Sequence, residues 1–249
     1  MKQLNFNRVL AGLVLSFAAV LPVQAVVIDF NAGLDATFSP FAPLLTHGDE
    51  LQQNGFWIDM YSTKPGDQTG ALVGTLVDGS DVANTCFGLI CPTNNSTQFL
   101  AALNDGLPDI GRLDGGLFHL QSFDASFIAA AGDAVRSVAL LLRVEGYFGA
   151  SLVSQEEFFL PGPANGVYSF SSYTLSSLFA DTAITELAFR GFACTTENSC
   201  TRSLDKAQFA LDNITFLDAA TVPEPSSLAL FGLAIAGLSF VRRRRTIKS

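Results

Sequence analysis

Histidine and cysteine, the side chains that most often act as bases and nucleophiles, are scarce in this chain. The two histidines are His47, in a predicted loop, and His119, in a predicted strand with Phe118 and Leu120 on the opposite face. Serine hydrolases of the α/β type place the nucleophile in a G-x-S-x-G turn, and this pattern does not occur. We therefore predict no catalytic residues and expect both histidines to be packing or surface residues.

Acidic side chains are the most abundant groups that could do chemistry. Seven basic and 22 acidic residues lie between Val26 and Val222, which gives this region a net charge of −15. Such an excess excludes a nucleic-acid partner, because binding to phosphates requires a basic surface. Glycoside hydrolases use a pair of carboxylates, and the chain has two acidic doublets, Asp49–Glu50 and Glu156–Glu157. A secreted carbohydrate-active enzyme is therefore an alternative.

Calcium is the one cofactor that the acidic residues suggest. It binds oxygens from carboxylates, amides and backbone carbonyls. Our hypothesis places a calcium site where the first and last predicted strands approach each other, with Asp29 from the first and Asp212 and Asn213 from the last as ligands. The alternative is that these side chains cap strand ends or bind loop amides. The spacing of an EF-hand does not occur.

Aromatic residues offer one further kind of site, a surface on which sugar rings stack. Trp57 and Tyr61 share one face of a predicted strand, and Tyr147 and Phe148 follow another strand. Large aromatic side chains dominate the energetics of protein cores, so we expect these four residues to pack in the core. Stacking on sugars is the alternative.

The four cysteines form two local pairs, Cys86 with Cys91 and Cys194 with Cys200. An even number of cysteines in an exported chain predicts disulfide bonds. Of the three possible connectivities we favour this one, because each bond closes a single loop between strands. A four-thiolate zinc site is the alternative, but its paired ligands normally have two to four residues between them, and the second pair here has five.

The region between the two ends of the chain predicts an all-β fold. Segments with alternating apolar residues, rich in β-branched and aromatic types, are separated by turns rich in Gly and Pro. Only residues 97–104 and 175–180 suggest short helical turns. This pattern favours an antiparallel β-sandwich, jelly-roll-like in form. The predicted strands are Val26–Phe30, Phe56–Tyr61, Leu117–Phe123, Val138–Glu145, Val167–Phe170, Ile184–Phe192 and Phe209–Phe216.

The N-terminal residues 1–25 have the composition of a secretory signal peptide. Lys2 and Arg8 precede the uncharged segment Val9–Leu21, and small side chains precede a predicted cleavage site between Ala25 and Val26. We therefore expect the secretion machinery to export the chain. An uncleaved membrane anchor is the alternative.

The C-terminal residues 222–249 contain three parts in order. Pro223, Glu224 and Pro225 are followed by the apolar segment Leu228–Val241, and this segment is followed by Arg242, Arg243, Arg244 and Arg245. The apolar segment predicts a short transmembrane helix, and the arginines predict that its end lies in the cytoplasm. Residues 26–221 would then form an ectodomain on the outer side of the membrane. A permanently anchored envelope protein is an alternative to removal of this tail.

These three parts resemble the PEP-CTERM sorting signal of Gram-negative bacteria. The resemblance implies that exosortase is a partner, and that the tail holds the protein in the membrane until it is removed at Pro-Glu-Pro. Gln208, Phe209 and Asp212 resemble the QFxxD motif of one group of PEP-CTERM proteins, which implies fold and location rather than chemistry. We therefore predict an exported, non-catalytic protein of the cell surface or extracellular matrix, with exopolysaccharide as a further expected partner.

Overall fold

The computed structural model describes residues 25–66, 68–130, 140–196, 199–201 and 206–218. The predicted signal peptide, except for Ala25, and the predicted sorting signal of residues 222–249 lie outside the described residues. Among the residues that are described, no helix is both long and apolar enough to traverse a bilayer.

Short strands make up almost all of the regular structure. The two helices are single turns, α1 (Val82–Thr85) and α2 (Ser177–Ala180). The strands are β1 (Ala25–Ile28), β2 (Asp35–Phe38), β3 (Leu44–Thr46), β4 (Asp49–Gln53), β5 (Phe56–Ser62), β6 (Leu72–Asp78), β7 (Leu89–Ile90), β8 (Gln98–Ala102), β9 (Gly106–Arg112), β10 (Phe118–Phe127), β11 (Ala129–Ala130), β12 (Leu140–Phe148), β13 (Ser151–Leu160), β14 (Ser171–Thr174), β15 (Glu186–Thr196), β16 (Ser199–Thr201) and β17 (Phe209–Asp218).

Two antiparallel sheets form a sandwich, which confirms the predicted fold class. Sheet A has the strand order β14-β10-β17-β8-β6-β3, and β1 pairs with the part of β17 that extends beyond β8. Sheet B has the order β13-β12-β15-β9-β5-β4-β2, with β16 paired to the end of β15. A separate two-stranded ribbon joins β7 and β11. The jelly-roll form stays a prediction.

Phenylalanine side chains fill the space between the two sheets. Phe56 from sheet B is stacked on Phe216 from sheet A, with ring centroids 4.5 Å apart, and meets Phe118 edge-on at 5.3 Å. All three rings are buried. Aromatic side chains bury more apolar area than other residues and interact favourably in stacked and edge-to-face pairs. Packing between the sheets therefore accounts for the buried phenylalanines of the chain, whereas others, such as Phe38 and Phe41, are exposed.

A two-residue turn fixes the register of the hairpin between β4 and β5. Asn54 and Gly55 both have positive φ, 52° and 85°, which the primed turns of tight hairpins require. Gln53 is consequently paired with Phe56. Because side chains alternate along a strand, the buried position of Phe56 places Trp57 on the opposite side of sheet B from the core.

Two of the secondary-structure predictions are wrong. The helical turn expected at residues 97–104 is β8, whose residues Phe99–Ala102 are buried, because a short apolar run fits a buried strand as well as a helix. The strand expected at Val167–Phe170 is absent, and only Val167 makes an isolated bridge, to Ala164, before β14 begins. The helical turn expected at residues 175–180 is confirmed by α2.

Both predicted disulfide bonds are present. Cys86 is joined to Cys91 in the loop after α1, and Cys194 on β15 is joined to Cys200, its cross-strand partner on β16. Each bond closes one local loop, so the cysteines stabilise loop shape rather than link the two sheets.

Candidate functional site

The three predicted calcium ligands lie close together, but Asp29 and Asp212 accept hydrogen bonds from amides and Asn213 Nδ2 donates to Asp124 Oδ2 at 2.9 Å. Ile28 pairs with Ile214, so Asp29 and Asn213 are at the same end of the β1–β17 pair. Asp29 Oδ1 accepts a hydrogen bond from Gln53 Nε2 at 2.8 Å. The backbone amide of Asn213 donates to Asp212 Oδ1 at 2.8 Å. These oxygens therefore serve the alternative role that the sequence suggested, as acceptors for amide groups.

Asp212 is buried inside this network. Asn95 Nδ2 donates to its Oδ2 at 2.7 Å. Burial raises the pKa of Asp212 to about 6, against the lowering effect of the Asn95 hydrogen bond, and the charges of Asp124 and Asp29 add to the increase. In the part of the chain that the structure describes, no group of three or more His, Cys, Asp or Glu side chains is arranged to hold a metal ion. The calcium site stays a prediction.

The residues of the QFxxD motif, Gln208, Phe209 and Asp212, are all buried at or in β17. Phe209 is in the core of β17, and Gln208 and Asp212 are almost completely buried. The role of the motif in fold and location stays a prediction.

Neither acidic doublet forms a pair of carboxylates. Successive residues of a strand point to opposite sides of the sheet, so Glu156 and Glu157 have separate partners. Glu156 accepts hydrogen bonds from Ser176, and Glu157 forms an ion pair with Arg143 at 2.7 Å. Asp49 is buried and accepts a hydrogen bond from the backbone of Thr46 at 2.6 Å. The doublets are thus unsuited to joint acid–base chemistry.

The outer face of sheet B, which points away from the core, carries a different set of polar and aromatic residues. On β5, Phe56, Ile58 and Met60 are buried while Trp57, Asp59 and Tyr61 alternate with them and are partly exposed. Trp57 and Tyr61 thus share a face, as predicted. The expectation that they pack in the core is wrong for both, and also for Tyr147 and Phe148, which are partly and largely exposed.

Strand register arranges these outer-face residues in two rows that cross the sheet. We call the first the aromatic row: Trp57, Gly111, Glu186 and Tyr147 are successive cross-strand partners on β5, β9, β15 and β12. We call the second the acidic row, and its members are Glu50, Asp59, Asp109, Ala188 and Glu145 on β4, β5, β9, β15 and β12. The two rows are neighbours, because Trp57 and Asp59 are two residues apart on one strand.

Gly111 is what lets the indole ring of Trp57 lie across β9. A Cβ atom at position 111 would be 2.2 Å from Trp57 Cζ2 and 2.6 Å from Cε2, which is closer than any side chain tolerates. The ring therefore rests against the glycine backbone while part of it stays exposed. This arrangement presents an aromatic surface beside Glu186.

One oxygen of the partly buried Asp109 carboxyl group lacks a hydrogen-bond donor in the described part of the chain. Its Oδ1 is buried and has no hydrogen-bond partner among the described residues. Burial raises the pKa of Asp109 to about 8, together with a hydrogen bond to the carboxyl group of Glu186 and the charges of Glu186 and Asp59. Two carboxyl groups can hydrogen-bond only if one is protonated. The raised pKa of Asp109 favours its protonated form at neutral pH, in which it can donate to Glu186.

On β5, too, burial and neighbouring acidic groups raise pKa values. Burial raises the pKa of Asp59 despite a hydrogen bond from Tyr61 Oη to its Oδ2 at 2.8 Å, and the charge of Glu50 acts in the same direction. Burial, followed by the interaction with Asp59, also raises the pKa of Tyr61. This half of the outer face therefore has an excess of negative charge.

The basic residues of the outer face lie on the other half of the sheet. Arg143 contacts Glu157 at 2.7 Å and lies over the ring of Phe192 at 4.6 Å, and Arg190 contacts Glu145 at 3.3 Å. Tyr147 Oη donates to the same Glu145 carboxylate at 2.8 Å. Within the described part of the chain, no ion pair includes the carboxylates of the β4–β9 half, namely Glu50, Asp59 and Asp109, or that of Glu186.

The C-terminal sequence matches a known protein-sorting motif. A family model for the PEP-CTERM protein-sorting motif matches residues 221–245. The chain carries a PEP-CTERM sorting motif. The motif confirms the predicted resemblance and indicates an exported protein that exosortase sorts to the surface or the extracellular space.

The chain is also similar, at low identity, to several solved structures. A DUF4465 family protein from Bacteroides caccae is 13% identical, with a TM-score of 0.46 and coverage of 82% of this chain and 97% of that one. TmCBM61 in complex with β-1,4-galactotriose is 8% identical, with a TM-score of 0.30 and coverage of 65% and 88%. The CBM22-1–CBM22-2 tandem domain of Paenibacillus barcinonensis Xyn10C is 14% identical, with a TM-score of 0.32 and coverage of 82% and 51%. No curated protein matches the chain.

Proposed function

We propose that this exported protein is a non-catalytic component of the cell surface or matrix that binds polysaccharide on the outer face of sheet B. The observation that carries the proposal is the aromatic row, in which Trp57 and Tyr147 flank Glu186 on a single line across the sheet. Aromatic rings pack on the apolar faces of ligand rings, and carboxylates accept hydrogen bonds from hydroxyl groups. Together these groups suit the alternating apolar and polar surface of a sugar.

The test measures glycan binding by the full-length protein, purified in detergent, against a polysaccharide array and then by titration calorimetry. Trp57→Ala should weaken binding at least about tenfold, since truncated aromatic anchors of an interface commonly have effects of this size. Phe148→Ala is the matched control, because Phe148 is exposed but lies outside the aromatic row. Binding that Trp57→Ala leaves unchanged, or no binding to any glycan, contradicts the proposal.

A second candidate is hydrolysis of a glycan, and the protonated Asp109 beside Asp59 favours it. A carboxyl group with a raised pKa next to a carboxylate is the arrangement that glycoside hydrolases use for acid catalysis. The assay is release of reducing ends from a polysaccharide panel. Turnover that Asp109→Asn abolishes would establish the enzyme, whereas binding without turnover supports the non-catalytic proposal.

The proposal includes transient membrane attachment. The tail after Pro223–Pro225 would hold the protein in the inner membrane until exosortase removes it. Intact mass spectrometry of the native protein measures this directly: a mature form that ends near the Pro-Glu-Pro motif supports processing. A full-length form in the membrane fraction supports the permanently anchored alternative.

A further inference from the structure

We infer that the ligand of the outer face is an extended polysaccharide that carries amino groups and lies across the strands along the aromatic row. This inference rests on the proposed function and adds the chemical class and the direction of the ligand. Three features of the described residues carry it: the spacing of the two aromatic residues, the position of the unpaired carboxylates, and the missing donor at Asp109.

The spacing of the aromatic row gives the direction. Trp57 and Tyr147 are on strands separated by three steps of the sheet, which is about 14 Å at the usual distance between neighbouring strands. Between them lie Gly111, which has no side chain, and Glu186. A linear chain of several sugar rings can therefore contact both aromatic residues at once, with Glu186 beneath its middle.

The distribution of charge gives the chemical class. The acids next to Trp57 have no basic partner among the described residues, whereas Arg143 and Arg190 are engaged by Glu157 and Glu145. A polymer of uronic acids would be repelled at this position, and a neutral polymer would leave the excess charge in place. An ammonium group supplies both a positive charge and hydrogen-bond donors, which strengthens the contact with a carboxylate.

Asp109 Oδ1 is the atom that could accept a hydrogen bond from the ligand. Its buried Oδ1 has no partner in the described part of the chain, where the groups that face it are the carboxyl groups of Glu186 on β15 and Asp59 on β5, with Tyr61 further along β5. A cation placed here favours the charged form of Asp109, so that its pKa falls and the carboxyl group loses its proton. Binding should therefore release a proton to the buffer.

The experiment compares two hexasaccharides with the same backbone, the glucosamine hexamer and the N-acetylglucosamine hexamer, and adds a galacturonic acid hexamer. Calorimetry at pH 6 with the full-length protein in detergent should show the glucosamine hexamer binding about tenfold or more tightly than its acetylated counterpart, the size expected for a charge-assisted contact. The preference should decrease with added salt. The enthalpy should vary with the ionisation enthalpy of the buffer, as proton release requires.

Two variants separate this site from general attraction to an acidic protein. Glu186→Gln should reduce the preference for the glucosamine hexamer severalfold, whereas Glu157→Gln, whose side chain is paired with Arg143, should leave it unchanged. Trp57→Ala should weaken binding of the glucosamine hexamer. If Trp57→Ala binds as tightly as the wild type, the attraction is non-specific and the inference is wrong.

The inference and the proposed function fail in different ways. Equal or tighter binding of the acetylated or galacturonic acid hexamer overturns the inference, while the proposed function stands if that binding depends on Trp57. Failure to bind any glycan on a broad array overturns the proposed function and the inference with it.

Discussion

Replacing Asp109 by asparagine should stabilise the protein at neutral pH and leave its stability unchanged in acid. The structure raises the pKa of this carboxyl group from 3.8 to about 8, chiefly by burial. Between these two values the folded protein binds more protons than the unfolded chain. The free energy of unfolding contributed by this group therefore falls as the pH rises from about 4 to about 8.

The size of the effect follows from the shift. Each unit of pKa difference corresponds to about 1.4 kcal/mol, so a shift of about three units between 3.8 and pH 7 sets an upper limit of about 4 kcal/mol for the penalty at that pH. Because the charges of Glu186 and Asp59 contribute to the shift and remain in the variant, we expect Asp109→Asn to recover only part of this limit, about 2–3 kcal/mol. The asparagine amide can also donate a hydrogen bond to Glu186, as the protonated carboxyl group does.

Urea unfolding measures this change, and Trp57 is a convenient probe because it is the only tryptophan of the chain and lies beside Asp109. The midpoint of Asp109→Asn should be higher than that of the wild type at pH 7 and equal to it near pH 4. Glu157→Gln is the control and should change stability by less than about 1 kcal/mol at either pH, since its ion pair is exposed. A gain that is the same at both pH values, or a loss at pH 7, would refute the electrostatic account of the outer face.

Three further predictions concern the aromatic row, the core and the second disulfide bond. Gly111→Ala should displace the ring of Trp57, shift its fluorescence emission and weaken glycan binding about tenfold, because the new Cβ would be 2.2 Å from Cζ2. Phe118→Ala should lower the free energy of unfolding by about 3–5 kcal/mol in urea titrations, since its ring is fully buried between the sheets. Replacing Cys194 and Cys200 together by serine should lower it by about 2 kcal/mol, as expected for a short closed loop, and an unchanged midpoint would contradict this.

The strands that the sequence predicts well are those in which one face is fully buried. Leu140, Leu142 and Val144 alternate in β12 and are all inaccessible to solvent, as the pattern indicates. The prediction of secondary structure fails where apolar residues occupy both faces of a strand. In β8 the run Phe99–Ala102 is buried on both sides, between the main core and a smaller cluster that contains the first disulfide, so that no period of two is visible.

The outer-face site could be predicted only in part. The alternation on β5 shows that Trp57 and Tyr61 share a face, but it does not say whether that face is the core. The Asn54–Gly55 turn is the sequence signal that fixes the hairpin. The position of Glu186 beside Trp57 has no local signal, because it depends on two successive non-local strand pairings through β9. Long-range register of this kind requires the structure.

The two halves of sheet B differ in whether their acidic residues have basic partners. On the β12–β15 half, the acids Glu145 and Glu157 are paired with Arg143 and Arg190. On the other half, Asp109 and its neighbours have no such partners among the residues that the structure describes, at a cost in stability. Folding alone would favour basic residues there too, since an unpaired buried polar group is destabilising. Ionisable groups with strongly perturbed pKa values cluster at functional sites. The contrast between the two halves therefore supports the proposal that the unpaired half binds a ligand.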